Sequence, residues 1–279
     1  MRCSLNKIFC AALGGYAALA ASFALFQRRV IYFPPRGYPL TPAALGLAYE
    51  EVALSAADGV GLRAWWIPCP RDVKDGPVIL FFHGNATNLS GLVDLAAVFV
   101  RRGCSFFGLD YRGYGASSGT PTEAGLVLDA CAARDWLLSR GIPADRIVLY
   151  GHSLGAALAA RLASGAPGTG FAGVVLEGSF PSIYAMARFH YPWLLVPPFL
   201  VRDRFETARW IRGARCPVLV VHGEKDAISP LKFGRTVFTA APEPREFLMV
   251  PGAGHNDMLS AHPAVAGAVE RFTVRGSGS

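Results

Sequence analysis

Short apolar runs alternate with longer segments of helical periodicity along most of the chain. The runs Glu51–Ser55 and Leu62–Ile67 flank an Asp58-Gly59 turn signal, which predicts an antiparallel hairpin. Six later runs predict strands at Val78–Phe82, Ser105–Leu109, Ile147–Tyr150, Val174–Leu176, Val218–Val221 and Phe247–Val250. Segments such as Glu123–Arg140 separate them with helical spacing. This alternation predicts an α/β fold in which helices cover both faces of a mostly parallel central sheet.

The start of the chain has a different pattern. The 19 residues Ile8–Phe26 contain no charge, and basic residues flank them on both sides. A helix that crosses the hydrocarbon core of a bilayer takes about 20 residues. We therefore predict an N-terminal transmembrane helix that anchors the protein in a membrane. A cleaved signal peptide is the alternative, with a small-residue site at Ala18-Leu19-Ala20, but the apolar run continues past that site.

Charge is concentrated at the same end. The net charge is +7, yet five basic residues and no acidic ones precede Glu50, so the rest of the chain carries only 22 basic and 20 acidic residues. A nucleic-acid-binding protein is expected to carry a basic stripe on its folded body, so we predict no nucleic-acid partner. Basic residues on the two sides of the apolar segment nearly balance, which leaves the side of the membrane that holds the folded domain undetermined.

These features suggest a division of the chain. Residues 1–36 are predicted to be the anchor and a linker, since Tyr32–Pro42 holds four prolines, and residues 37–275 the folded domain. Residues 179–215 interrupt the alternation of strands and helices with the apolar run Tyr191–Leu200 among several arginines, which indicates a short cap segment. Residues 276–279 are predicted to be a flexible tail.

Neither metal binding nor a disulfide framework is indicated. The six cysteines show no C-x-x-C pair and no ligand spacing with histidine. The glycines of Asp110–Gly115 lack the G-x-G-x-x-G spacing of a dinucleotide site. The spacing therefore indicates neither a zinc site nor a dinucleotide site.

A nucleophile is indicated after the strand Ile147–Tyr150. Gly151-His152-Ser153-Leu154-Gly155 matches G-x-S-x-G, and the Ala-rich segment Ala156–Ala163 follows as a predicted helix. This strand–turn–helix context is where the motif lifts a serine hydroxyl above a sheet. We predict Ser153 as the nucleophile.

A serine nucleophile needs a base and an acid that orients the base. Asp226 follows the strand Val218–Val221, and His255 lies in a glycine-flanked loop after the last strand. The chain order Ser153, Asp226, His255 is the order that this arrangement requires. We predict His255 as general base and Asp226 as its acid, with Glu177, at the end of its own strand, as the alternative acid.

The same reasoning locates an oxyanion hole. Val78–Phe82 runs into His83-Gly84-Asn85, where the glycine allows the backbone to turn toward the substrate. We predict the backbone N–H groups of Asn85 and Leu154 as the two donors, because Leu154 follows the nucleophile.

Together these motifs resemble the α/β-hydrolase superfamily over about residues 50 to 274. The segments that carry the resemblance are His83-Gly84-Asn85-Ala86, Asp110–Gly115, Gly151–Gly155, His222–Asp226 and Gly254-His255. With the N-terminal anchor, they look like the single-pass branch of ABHD-type proteins that includes bud-emergence proteins and protein depalmitoylases. The resemblance implies the α/β-hydrolase fold and serine hydrolase chemistry on ester or thioester bonds, without a cofactor.

The predicted function is therefore hydrolysis of acyl esters or thioesters, with a lipid and a membrane as expected partners. A peptidase of the same superfamily is the enzymatic alternative. Those peptidases often carry Gly-Gly-Ser-Trp-Gly at the nucleophile, whereas this chain has Gly151-His152-Ser153-Leu154-Gly155. A membrane-tethered scaffold without activity is the other alternative, but such proteins usually lose one of the three catalytic residues and none is missing here.

Overall fold

The computed structural model describes residues 2–69, 76–165, 170–193, 197–258 and 265–270. Within these ranges, eight strands form one sheet in the order β1-β2-β4-β3-β5-β6-β7-β8. The strands are β1 (Glu50–Ser55), β2 (Gly61–Ile67), β3 (Val78–Phe82), β4 (Ser105–Asp110), β5 (Ile147–His152), β6 (Gly173–Glu177), β7 (Val218–Gly223) and β8 (Arg245–Val250). Each predicted strand is present, and no end differs by more than two residues.

The sheet is antiparallel at one edge and parallel elsewhere. Strand β1 pairs antiparallel with β2, and β2 with β4, so the predicted hairpin is confirmed. The other neighbouring pairs are parallel, including β3 with β5 and β5 with β6. Parallel strands bring their carboxyl ends to one edge of the sheet, where catalytic groups gather in open α/β sheets.

Helices cover both faces of the sheet, as predicted. The helices are α1 (Arg2–Ile31), α2 (Val93–Arg101), α3 (Glu123–Ser139), α4 (Leu154–Ala163), α5 (Ile183–His190), α6 (Thr207–Trp210) and α7 (Leu231–Ala240). One buried cluster joins the sheet to α3, α4 and α7, and a second joins the other face to α2 and the helical residues 265–270. Because both faces are covered, β3, β4 and β7 are buried along their whole length.

The predicted membrane segment Ile8–Phe26 lies within α1. Across the described ranges, no helix combines the length and the hydrophobicity that crossing a membrane requires. The transmembrane prediction therefore has no support from the structure.

The predicted linker is attached to the folded domain. Tyr32 is buried, and Pro35 accepts a hydrogen bond through its carbonyl from the backbone N–H of Gly115 at 2.9 Å. The Tyr38 hydroxyl donates to the buried carboxylate of Asp110 at 2.5 Å. These side chains and backbone groups attach residues 32–42 to the loops at the carboxyl edge of the sheet.

The predicted cap contains α5 and α6 and a 3-10 turn at Pro198–Leu200. Its side chains Trp193 and Phe199 are 67% and 75% exposed. Residues 194–196 of the predicted apolar run lie outside the described residues, as does the predicted tail at 276–279.

Candidate active site

Ser153 stands at the junction of β5 and α4, as the motif predicted. Its backbone has φ +52° and ψ −112°, a region that L-residues rarely occupy, and its N–H donates to the Glu177 carbonyl at 2.8 Å. A Cβ on Gly155 would lie 2.0 Å from the Phe82 carbonyl oxygen, so only glycine lets α4 begin this close to β3. The strained turn holds the serine at the positive end of α4, which favours developing negative charge.

The predicted acid and base are in direct contact. His255 Nδ1 lies 2.7 Å from Asp226 Oδ2, and both side chains are buried. The other oxygen, Oδ1, accepts from the backbone N–H groups of Ile228 at 2.9 Å and Ser229 at 2.7 Å. Burial alone raises the pKa of Asp226, but these partners, with the His255 bond foremost, hold that pKa below its ordinary value. Asp226 is therefore an ionised acceptor at neutral pH, which orients His255 with Nδ1–H toward it.

His255 and Ser153 lie at the same edge of the sheet. The His255 ring packs over Gly178, where a Cβ would lie 3.0 Å from Cε1, and Gly178 follows the residue whose carbonyl binds the Ser153 N–H. The His152 ring lies beside them, and its centroid is 5.0 Å from the centroid of the His255 ring. His152 Nε2 lies 3.0 Å from the His255 carbonyl oxygen. Within the described residues, Ser153 Oγ forms no hydrogen bond; such bonds often tighten only when substrate binds.

Glu177, the alternative acid, has a different partner. Its carboxylate accepts a hydrogen bond from the Tyr150 hydroxyl at 2.6 Å, and both groups are buried. The imidazole of His255 is hydrogen-bonded to Asp226 instead. The two carboxylates thus occupy separate positions at the carboxyl edge, and only Asp226 is bonded to the predicted base.

The loop after β3 passes directly beside the nucleophile. A Cβ on Gly84 would lie 3.5 Å from Ser153 Cβ and 2.6 Å from His152 Nδ1. In the part of the chain that the structure describes, the backbone N–H groups of Asn85 and Leu154 donate to no protein acceptor. Asn85 follows Gly84 and Leu154 follows Ser153, so both N–H groups lie close to the Ser153 side chain. We call residues 83–90 the β3 loop.

Two histidines that carry no predicted catalytic role support this site. His222 Nε2 lies 2.6 Å from the Ser229 carbonyl oxygen. This contact holds the turn in which the Ser229 backbone N–H donates to Asp226. Burial lowers the pKa of His222 and of His152, so both imidazoles are neutral at neutral pH. Both residues lie at the carboxyl ends of their strands, and nothing in the sequence shows which loop each one holds.

A cavity of about 510 Å³ opens beside the nucleophile. Phe81 of β3, Leu95 and Val98 of α2, and Leu92, which directly precedes α2, form its apolar wall. His152, Glu177 and Asn256 also line it. Among the described residues, no group of three or more His, Cys, Asp or Glu side chains could hold a metal ion. The structure thus brings the predicted nucleophile, the predicted acid–base pair and an apolar space to one edge of the sheet.

Comparison with known families identifies the fold. The profile described as "alpha/beta hydrolase fold" matches residues 77–203, and one described as "TAP-like protein" matches residues 201–278. The alpha/beta hydrolase domain-containing protein WAV2 of Arabidopsis thaliana is 35% identical over 267 residues, covering 88% of this chain and 85% of that protein. The chain belongs to the α/β-hydrolase superfamily. Protein bem46 of Schizosaccharomyces pombe is 31% identical over 252 residues, covering 83% of this chain and 81% of that protein, so the predicted resemblance to bud-emergence proteins is confirmed.

Solved structures of other α/β-hydrolases share the architecture. An esterase from Pyrococcus furiosus superposes with a TM-score of 0.72 at 21% identity, covering 88% of this chain and 99% of the esterase. A puromycin-hydrolyzing peptidase of Mycobacterium tuberculosis superposes with a TM-score of 0.69 at 20% identity, covering 83% of this chain and 40% of the peptidase. At these identities the likeness shows the fold alone, and it includes both esterases and peptidases.

Proposed function

We propose that the protein is a serine hydrolase that cleaves carboxylic ester or thioester bonds of acyl substrates through an acyl-enzyme on Ser153. The observation that carries the proposal is the 2.7 Å bond between His255 and Asp226 at the edge of the sheet where the strained turn presents Ser153. This combination is the geometry by which a weak serine nucleophile is activated. The alternative of a scaffold without activity does not account for the cost of holding a non-glycine residue in that conformation.

The proposed reaction proceeds in two displacements. His255 Nε2 takes the proton of the Ser153 hydroxyl as Oγ attacks the acyl carbon, and the carbonyl oxygen becomes an oxyanion bound by the N–H groups of Asn85 and Leu154. The intermediate collapses, the carbon–oxygen or carbon–sulfur bond breaks, and His255 gives its proton to the departing alcohol or thiol. Water, deprotonated by the same imidazole, then releases the acid and restores Ser153.

The cavity favours an apolar substrate. Its apolar wall presents Phe81, Leu92, Leu95 and Val98, and none of the described residues that line it is a lysine or an arginine. Entry of an acyl chain or an apolar alcohol into such a space is favourable by about 25 cal/mol per Å² of apolar surface buried. This lining supports an acyl substrate over a free anion such as a phosphate.

A substrate series tests the function. The purified protein is assayed with acyl esters and thioesters of increasing chain length beside a panel of peptide amides, and with a fluorophosphonate probe. We expect hydrolysis of esters or thioesters and labelling of the wild type, with no labelling of Ser153→Ala. Cleavage of amides in preference to esters would identify a peptidase, and an unlabelled protein without hydrolysis would identify a scaffold.

We also propose that the protein works at a lipid surface. Helix α1 packs on the cap through Phe23, Ile183 and Leu200, so the exposed side chains of both elements share one region of the molecule. Those apolar side chains are Leu25, Phe26, Val30, Trp193 and Phe199, and the exposed arginines Arg29, Arg188 and Arg202 accompany them. Exposed aromatic and apolar groups beside cations are typical of surfaces that contact anionic lipid.

Vesicle binding by the full chain checks this second proposal. We expect stronger binding to phosphatidylserine-containing vesicles than to pure phosphatidylcholine vesicles, weakening at high salt because the arginines are screened. Phe199→Ala and Trp193→Ala should each reduce binding, whereas Met249→Ala, which removes an exposed apolar side chain from β8, should not. Equal, salt-independent binding to both vesicle types, unaffected by Phe199→Ala, would contradict the lipid-facing cap.

A further inference from the structure

The Asn85 side chain connects the β3 loop to the end of α1. Its Oδ1 accepts hydrogen bonds from the backbone N–H of Phe33 at 3.0 Å and from the Tyr114 hydroxyl at 2.8 Å. Its Nδ2 donates to the carbonyl of Ile31, the last residue of α1, at 2.5 Å. Three of the four hydrogen bonds that an asparagine side chain can make are thus used. Two of them go to backbone groups that belong to the N-terminal segment.

The end of α1 is itself fixed to the body of the protein. The buried side chain of Gln27 donates to the Leu200 carbonyl at 2.9 Å and accepts from the Arg202 N–H at 2.8 Å. Arg28 pairs with the buried carboxylate of Asp203, with Nε 2.8 Å from Oδ2. The hydrogen-bonding groups at Ile31 and Phe33 therefore have a defined position when Asn85 meets them.

The chain after α1 contacts the β3 loop again further along. Asn88 Nδ2 donates to the Gly37 carbonyl at 2.8 Å, and the Ser90 hydroxyl accepts from the Leu40 N–H at 2.8 Å. These contacts attach the far end of the loop to the same segment. Only the Asn85 contact lies at a residue whose own N–H is a proposed oxyanion donor.

The conformation of this loop requires support from outside. Ala86, directly after Asn85, has φ +57°, a region that alanine adopts at a cost in free energy. Such a turn persists only where surrounding contacts determine it. The Asn85 side chain supplies contacts of that kind on the residue before the turn.

We propose that the Asn85 side chain is a positioning group that uses the end of α1 to aim the Asn85 N–H at the oxyanion. The proposal rests on the proposed function, since it concerns the same site. An oxyanion donor must lie within about 2.7–3.1 Å of the developing charge, and removing one costs about 10²–10³ in kcat. Loss of the Asn85 side chain leaves its N–H donor in place but less well oriented, so we expect a smaller loss of kcat. Because the donor acts on the transition state, the loss falls on kcat more than on KM.

The test compares two asparagines of one loop. Asn85→Ala removes the contacts to Ile31, Phe33 and Tyr114, whereas Asn88→Ala removes contacts to Gly37 and to the Ser90 N–H. For each variant we would measure Tm, kcat, KM and the inhibition constant of a trifluoromethyl ketone, which forms an oxyanion on the serine. We expect Asn85→Ala to lower kcat by about 10- to 100-fold, which is less than the cost of losing a donor. The inhibition constant of the ketone should rise by a similar factor. Asn88→Ala should lower Tm with little change in kcat.

Several results would overturn the proposal. Equal losses of kcat in both variants would show that the Asn85 side chain has only a structural role. A rise in KM with kcat unchanged for Asn85→Ala would show the same. Should Asn85→Ala fail to fold, Tyr114→Phe removes one contact to Oδ1 and keeps the ring, and wild-type kcat and ketone binding there would refute the role. A wild-type protein that neither hydrolyses esters nor reacts with the ketone would instead refute the proposed function.

Discussion

Replacing Ser153 with alanine should abolish measurable ester hydrolysis while leaving the protein folded. In serine hydrolases that work by this chemistry, loss of the nucleophile or the base removes most of what the three residues contribute together, about 10⁶ in kcat. His255→Ala should therefore be nearly as severe as Ser153→Ala, and the double variant no worse than either single one. Steady-state kinetics on the best ester of the substrate series measures all three.

Stability provides the control for this result. Ser153→Ala keeps the Cβ that strains the backbone at φ +52° and removes no hydrogen bond of the hydroxyl within the described residues, so its Tm should match the wild type. If activity survives in Ser153→Ala at more than a thousandth of the wild-type rate, the nucleophile is another group. Losses that multiply in the double variant would show that Ser153 and His255 do not act as one unit.

The buried strands were the most predictable part of the fold. Strand β3 was predicted residue for residue, because both faces of the strand are covered and its five positions are all apolar. Strand β8 begins two residues before its apolar run, at Arg245. It is included there through backbone pairing of Arg245 with Val218 and Glu246 with Leu219, and side-chain hydropathy carries no signal of that pairing.

The N-terminal segment shows the limit of hydropathy. Its apolar composition predicted a transmembrane helix, and the structure forms a helix there whose last turns pack against the protein. Ala20 and Gln27 are buried by that packing, and Arg28 meets Asp203, 175 residues away in the chain. Contacts over such separations depend on the folded cap, so no pattern local to residues 2–31 reveals them.

The candidate site also has a part that the sequence predicts and a part that only the folded structure reveals. Ser153 could be located because the sharp turn requires particular glycines close by in sequence, and Asp226 and His255 because they follow successive strands that end at one edge. The side chain of Asn85 has no local signature of its contacts. Its partner Ile31 is 54 residues away, and only the folded structure brings the two together.

Asp226→Asn should lower kcat by about 10⁴, because the amide leaves His255 in the wrong tautomer. In the wild type, the carboxylate fixes Nδ1–H at 2.7 Å and leaves Nε2 unprotonated to receive the serine proton. An asparagine held by the backbone N–H groups of Ile228 and Ser229 through its oxygen would turn its NH₂ toward His255. Nδ1 would then have to accept, and Nε2 would carry the proton.

Glu177→Gln is the matched control for this change, since it also neutralises a buried carboxylate at the carboxyl edge of the sheet. Its carboxylate accepts from Tyr150 and not from His255, so the substitution exchanges one acceptor oxygen for another and leaves the tautomer of His255 unchanged. The rate constant for fluorophosphonate labelling reports the activated serine independently of substrate binding, and it should fall with kcat in Asp226→Asn only. Near-native labelling of Asp226→Asn together with an inactive Glu177→Gln would exchange the two roles. The proton would then leave Ser153 by way of an imidazole that Glu177 orients, which would require His255 to turn away from the carboxylate it contacts in this structure.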